Sequence, residues 1–128
     1  MSFNILIVDD SSVTRAVLKK TILMTEFPVN TIAQATNGFE ALELMKSQSI
    51  DIVLTDLNMP EMNGIEMFEH MKEDPHTADI PLVVISTEAS ASRINELKSQ
   101  GMRGYVHKPF TAENVRDILS SILGMSTV

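Results

Sequence analysis

The chain has no cysteine in 128 residues, which excludes disulfides, thiolate catalysis and cysteine-held metals. Basic residues are scarce: 10 Lys and Arg stand against 17 Asp and Glu, for a formal net charge of -7. That balance argues against direct nucleic-acid binding, whose affinity comes mainly from Lys and Arg neutralising phosphates. No apolar run approaches the roughly 20 residues that span a bilayer, so no membrane insertion is expected. Met1-Ser2-Phe3-Asn4 leads into apolar sequence without a basic leader, which points away from a signal peptide and toward a soluble cytoplasmic protein. There is no GxxxxGK[ST] motif or other Gly-rich phosphate cradle, so the chain is not expected to bind a nucleotide itself. Internal repeats, low-complexity tracts and linkers are also missing. What remains is 44% hydrophobic and 21% charged, close to the globular average, and its length suits one domain over residues 1–128 with a single core.

Short apolar runs alternate with longer amphipathic segments. Phe3 to Val8 (FNILIV) is almost continuously apolar and rich in branched residues, as a strand buried on both faces should be. Asp10 or Ser11 can cap the next helix, whose apolar positions include Val13, Ala16, Val17 and Met24. Val29 to Ala35 reads as a weaker strand, followed by the Asn37-Gly38 turn. A helix with Ala41, Leu42 and Met45 on one face precedes a second buried strand, Ile52 to Thr55. Pro60 and Asn63-Gly64 break the chain before a helix carrying Ile65, Phe68 and Met71. Pro75 and Pro81 bracket a loop that opens into Leu82-Val83-Val84-Ile85. A helix from about Ser90 to Gln100 ends at Gly101 as its C-cap, and Tyr105-Val106-His107 forms a short last strand. Thr111 caps a final helix with Val115, Ile118, Leu119, Ile122 and Leu123 at helical spacing.

Five strands, each followed by a helix, predict an α/β fold: a parallel sheet with helices on both faces. At this length the doubly wound, five-stranded, flavodoxin-like order 2-1-3-4-5 is expected, with its ligand crevice at the carboxyl ends of strands one and three. An eight-fold barrel would need roughly twice the chain.

The polar residues at the strand ends carry the chemistry. Strand one runs into Asp9-Asp10, strand three delivers Asp56, strand four delivers Ser86, and Lys108 follows strand five. Singly, each has a plain reading: an aspartate or serine after a strand often caps a helix, and a lysine before proline is often solvated. Together they lie along one edge of a parallel sheet. Two carboxylates about 4 Å apart repel by roughly 4 kcal/mol at an effective dielectric of about 20. Three are a heavy burden on a domain stable by only about 5–15 kcal/mol. A cation is therefore expected, and an all-oxygen site of this charge suits Mg²⁺. A carboxylate nucleophile beside Mg²⁺ and a lysine suggests phosphoryl transfer, with the phosphoryl group brought by another molecule.

These residues resemble the response-regulator receiver family, and within it the chemotaxis CheY type. The resemblance rests on Val8-Asp9-Asp10-Ser11, Thr55-Asp56-Leu57-Asn58-Met59-Pro60, Ile85-Ser86 and Tyr105-Val106-His107-Lys108-Pro109-Phe110, in that order. It implies a two-component phosphorylation switch, not an enzyme acting on other substrates. Asp56 would be the acceptor of a phosphoryl group from a sensor histidine kinase, in a Mg²⁺-dependent reaction. Asp9, Asp10, Asp56 and the backbone carbonyl of Asn58 would hold the ion. Ser86 would hydrogen-bond the phosphoryl group, Lys108 would pair with it, and Tyr105 would change rotamer on activation. A downstream protein would bind the face formed by the fourth helix, fifth strand and last helix, with Ala91, Asn95, Tyr105 and Arg116 exposed on it.

Some positions depart from the commonest family pattern. Ser86 replaces Thr, Thr87 stands where Ala or Gly is frequent, and Leu57 replaces the Trp of the chemotaxis subgroup. Asn58 and Glu88 match that subgroup and imply a short phosphorylated lifetime. His70, His76 and His107 lack mutual ligand spacing, and His107 is expected to point to the opposite side of the sheet from Lys108. Of the nine methionines, Met59 alone sits beside the expected site. Three rivals share parts of this pattern. A haloacid-dehalogenase-type phosphatase would need a second acid at Asn58, a flavodoxin would have its phosphate repelled by Asp9-Asp10, and a degenerate receiver would not keep the acid set. A receiver excised from a larger hybrid kinase or regulator is also compatible with the sequence.

Overall fold

A computed structural model of the chain describes residues 2–87 and 90–124. The order along the chain is β1 (Phe3–Val8), α1 (Ser12–Met24), β2 (Val29–Ala35), α2 (Gly38–Ser47), β3 (Ile52–Thr55), α3 (Gly64–Glu73), β4 (Leu82–Ser86), α4 (Ala91–Ser99), β5 (Gly104–His107) and α5 (Ala112–Leu123). The five strands form one parallel sheet in the order β2-β1-β3-β4-β5, as expected. Burial explains why some strands are easier to read than others. β3 and β4 are buried along their whole length, so they are continuously apolar. The edge strand β2 leaves Asn30, Thr31 and Gln34 exposed, which is why its sequence is mixed.

Alternation along the strands divides the core between two layers. Leu6, Val8, Val53 and Val84 face Ala41, Met45, Met67, Phe68, Met71 and Leu97 of α2, α3 and α4. Ile5, Ile7, Leu54, Val83 and Ile85 face Leu18, Ile22, Val115 and Leu119 of α1 and α5.

Helix starts follow side-chain chemistry. Ser11, and not Asp10, caps α1 by accepting from the Thr14 N–H. Asn37, Asn63, Ser90 and Thr111 cap the other four helices. Behind the Asn37 cap, the Thr36 N–H donates to Glu40 at 2.8 Å and holds that carboxyl below its usual range. Gly101 has φ 113°, the left-handed conformation expected just after α4.

One expectation fails. Val13, Ala16, Val17 and Met24 are the apolar positions that the sequence offers for α1, yet all four are exposed, Val13 at 71% and Met24 at 65%. The buried stripe is Leu18 and Ile22, flanked by the half-buried Thr14, Arg15 and Thr21. The helix carries two apolar stripes, and only the one aimed by the β1–α1 connection can meet the sheet.

Candidate functional site

The sheet register creates the site. Val8 pairs with Thr55 across β1 and β3, so the residue after each strand, Asp9 and Asp56, emerges at the same edge. Backbone bonds continue the ladder one step further: Asp56 N–H donates to Val8 O at 2.9 Å and Asp9 N–H to Ala35 O at 3.1 Å. Asp10 follows directly. The three carboxylates offer oxygens that all lie within 4.8 Å of one another, with Asp9 buried, Asp56 half-buried and Asp10 exposed. β4 and β5 bring the remaining groups. The Lys108 N–H donates to Ser86 O at 2.9 Å, and its Nζ reaches Asp9 Oδ2 at 3.1 Å and Asp56 Oδ2 at 3.5 Å.

Local hydrogen bonds orient the acids. The Ser11 N–H donates to Asp9 Oδ1 at 2.9 Å, and the Leu57 N–H to Asp56 Oδ1 at 2.8 Å. On each acid the other oxygen, Oδ2, contacts the ammonium. Lys108 is thus the cation that Asp9 and Asp56 share, and its own side chain is only 20% exposed.

The donor set fits Mg²⁺. All the side-chain donors are carboxylate oxygens, which this hard cation prefers. Mg–O bonds of about 2.1 Å place two ligand oxygens at most about 4.2 Å apart, so the 4.8 Å cluster would close on the ion with a small movement or through a bridging water.

The other expected residues lie close by. Ser86 is fully buried at the end of β4, and its carbonyl also accepts from the Tyr105 hydroxyl at 3.2 Å. Tyr105 is half-buried against the α2-α3-α4 layer, which links the Ser86 backbone to β5. Asn58 is exposed and Met59 buried in the loop after Asp56. Ala91, Asn95 and Arg116 are exposed, as expected for a docking face, whereas Tyr105 is only half so. A groove of about 470 Å³ runs between β5 and α5, lined by Tyr105, His107, Asn114, Asp117, Ile118 and Ser121 among others. His107 is exposed there, its ring 6.5 Å from that of Tyr105, while the Lys108 ammonium turns to the acids. His70 and His76 lie on α3 and in the following loop. Glu88 falls outside the described residues.

Two contributors escape sequence reasoning. Arg15 on α1 donates through Nη1 to the Asp9 carbonyl at 2.7 Å and through Nε to Gln34 at 3.1 Å, tying Asp9 to β2. Nothing in the sequence separates Arg15 from a solvated helix arginine. Gly64 opens α3 so tightly under the site that a Cβ there would lie 2.5 Å from the Asp56 carbonyl oxygen. Its partner in sequence, Asn63, signals only a turn.

Comparison with known proteins identifies the family that shares this fold. Residues 5–120 match the model of the response regulator receiver domain family. The chain is 36% identical over 121 residues to the chemotaxis protein CheY-3 of Vibrio cholerae, covering 94% of this chain and 92% of that protein. It is 35% identical over 118 residues to the chemotaxis protein CheY of Pseudomonas aeruginosa, covering 92% and 94% of the two chains. Among solved structures, the chemotaxis response regulator CheY4 of Vibrio cholerae aligns with a TM-score of 0.80 at 29% identity, over 95% of this chain and 99% of that one. The receiver domain of a sensor histidine kinase from Pseudomonas aeruginosa, with a magnesium ion coordinated in its active site cleft, has the same fold: TM-score 0.83 at 20% identity, over 97% and 99%. The chain belongs to the response regulator receiver domain family, the phosphorylation switches of two-component signalling.

Proposed function

We propose that this chain accepts a phosphoryl group on Asp56 from a sensor histidine kinase in the cytoplasm and, so modified, changes its affinity for a downstream protein. The observation that carries the reading is the convergence of Asp9, Asp10 and Asp56 oxygens within 4.8 Å, with the Lys108 ammonium against two of the three. In the transfer, an Asp56 carboxylate oxygen forms a bond to phosphorus as the bond from phosphorus to the kinase imidazole nitrogen breaks. The electron pair leaves with the imidazole, which takes up a proton. Asp9 and Asp10, with Asp56 and the Asn58 carbonyl, would hold Mg²⁺, which when bound supplies positive charge to the phosphoryl oxygens. Lys108 stands ready to pair with the new dianion, since it already contacts the Asp56 carboxylate. Ser86 would donate its hydroxyl to a phosphoryl oxygen. The domain catalyses only its own phosphorylation and dephosphorylation.

The output follows the bond between the Tyr105 hydroxyl and the Ser86 carbonyl. Movement of the Ser86 backbone toward a phosphoryl group alters that bond and biases Tyr105 between two orientations. Tyr105 lines the β5–α5 groove, so the partner-binding surface is the α4-β5-α5 face. By analogy with the CheY relatives, the partner belongs to a chemotaxis pathway.

The test is incubation with a small-molecule phosphodonor and Mg²⁺, followed by mass spectrometry for an acid-stable, base-labile adduct. Wild type should carry one phosphoryl group and Asp56→Asn none, with the fold unchanged. Equal labelling of the variant would move the acceptor elsewhere.

A further inference from the structure

The loop between β3 and α3, which carries Asn58, is tied at its far side to the start of α2. The Met62 carbonyl accepts from the Gly38 N–H at 2.9 Å, and Asn37 donates through Nδ2 to Glu61 Oε2 at 3.3 Å. The approach is tight, since a Cβ on Gly38 would lie 2.8 Å from both Met62 Cγ and Met67 Cβ. Glu61 itself sits at φ 68°, where a side chain crowds its own backbone. The Met62 N–H closes a short turn around it onto the Pro60 carbonyl at 2.8 Å. Such a conformation persists only where surrounding contacts hold it.

Asn37 is suited to holding it. Only 8% exposed, it divides its amide between two elements. Its Oδ1 accepts the Glu40 N–H at 2.9 Å as the cap of α2, and its Nδ2 reaches across to Glu61. The near end of the loop is anchored separately, by the Gly64 N–H on the Leu57 carbonyl at 2.9 Å. Asn58 and Pro60, both exposed, lie between these two anchors, on either side of the buried Met59.

We propose that Asn37 and Glu61 form a latch that positions the β3–α3 loop, and with it the Asn58 carbonyl, for the cation held by Asp9, Asp10 and Asp56. The inference rests on the proposed Mg²⁺ site. Asn37 and Glu61 are positioning residues: they act on the ion through the loop between them.

The chemistry of the pair supplies a discriminating variant. Asn37→Asp keeps the cap, because aspartate caps helices as well as asparagine does, but sets a carboxylate against that of Glu61 and opens the latch. The added negative charge would by itself tighten Mg²⁺ binding, so weaker binding cannot come from charge. Adding Glu61→Gln restores a donor–acceptor pair and the wild-type net charge.

The experiment measures Mg²⁺ affinity by calorimetry, and amide hydrogen exchange over residues 58–63 in Mg²⁺-free protein. Asn37→Asp should weaken Mg²⁺ about tenfold, the lower end for groups that orient a metal ligand from outside, and should speed loop exchange. The double variant should recover both. Should Asn37→Asp fail to fold, Asn37→Ser, which still caps α2, leaves the net charge unchanged and has no amide to reach Glu61, should give the same two effects. Unchanged affinity in a variant whose loop exchanges faster would overturn the positioning role. Unchanged exchange would overturn the latch itself, and failure of the double variant to recover would show that the pair is not the cause. A wild-type protein that does not bind Mg²⁺ would instead overturn the metal site, and the latch's role with it.

Discussion

Replacing Lys108 with methionine removes the charge but keeps an unbranched stem, and its effect on stability should depend on Mg²⁺. Three carboxylate oxygens within 4.8 Å of one another repel by at least about 3.5 kcal/mol per pair at an effective dielectric of about 20. At the same dielectric, the ammonium at 3.1 Å from Asp9 and 3.5 Å from Asp56 returns about 5 kcal/mol from each contact. The two sets nearly offset, so Lys108 is what makes the metal-free acid cluster tolerable. Water reaches the lysine, whose side chain is 20% exposed, and the freed acids can spread. The observable loss should therefore be about 2–4 kcal/mol, somewhat under the range for breaking a fully buried pair. For a domain of this size that is a fall in Tm of roughly 10 °C. With saturating Mg²⁺ the ion replaces the missing charge, so most of the deficit should disappear. The variant should also bind Mg²⁺ more tightly than wild type, because a neighbouring positive charge has gone. Thermal melts of both proteins across a Mg²⁺ titration decide the matter. A deficit of the same size with and without Mg²⁺ would show that Lys108 acts through packing and not through the cluster, and no deficit at all would refute the electrostatic account.

Asp10→Ala should weaken Mg²⁺ binding and, without metal, raise stability by about 1 kcal/mol, modest because Asp10 is exposed; calorimetric titration and a thermal melt read the two effects. Gly64→Ala should destabilise by about 3 kcal/mol and slow labelling at Asp56, because its Cβ would meet the Asp56 backbone oxygen, which cannot rotate away; urea unfolding with a labelling time course checks both. Ser86→Ala should leave Asp56 open to phosphorylation yet remove the roughly 1–3 kcal/mol by which a stable phosphoryl mimic strengthens partner binding. Equal strengthening in wild type and variant would show that the signal bypasses Ser86.

The sequence by itself determined the local features. Runs buried on both faces are continuously apolar, so β1, β3 and β4 announced themselves, as did the Thr111 cap and the Gly101 helix end. It also placed Asp9, Asp10, Asp56, Ser86 and Lys108 at strand ends, and a parallel sheet must collect such residues on one edge. Tertiary structure decided what periodicity leaves degenerate. α1 carries one apolar stripe through Val13 and Val17 and another through Leu18 and Ile22, and only its docking angle on the sheet selects the second. Contacts between distant segments were illegible for the same reason. That Arg15 holds the Asp9 carbonyl, that Lys108 spans Asp9 and Asp56, and that Asn37 reaches Glu61 all depend on strand register and helix packing, which bring together residues that no local pattern relates.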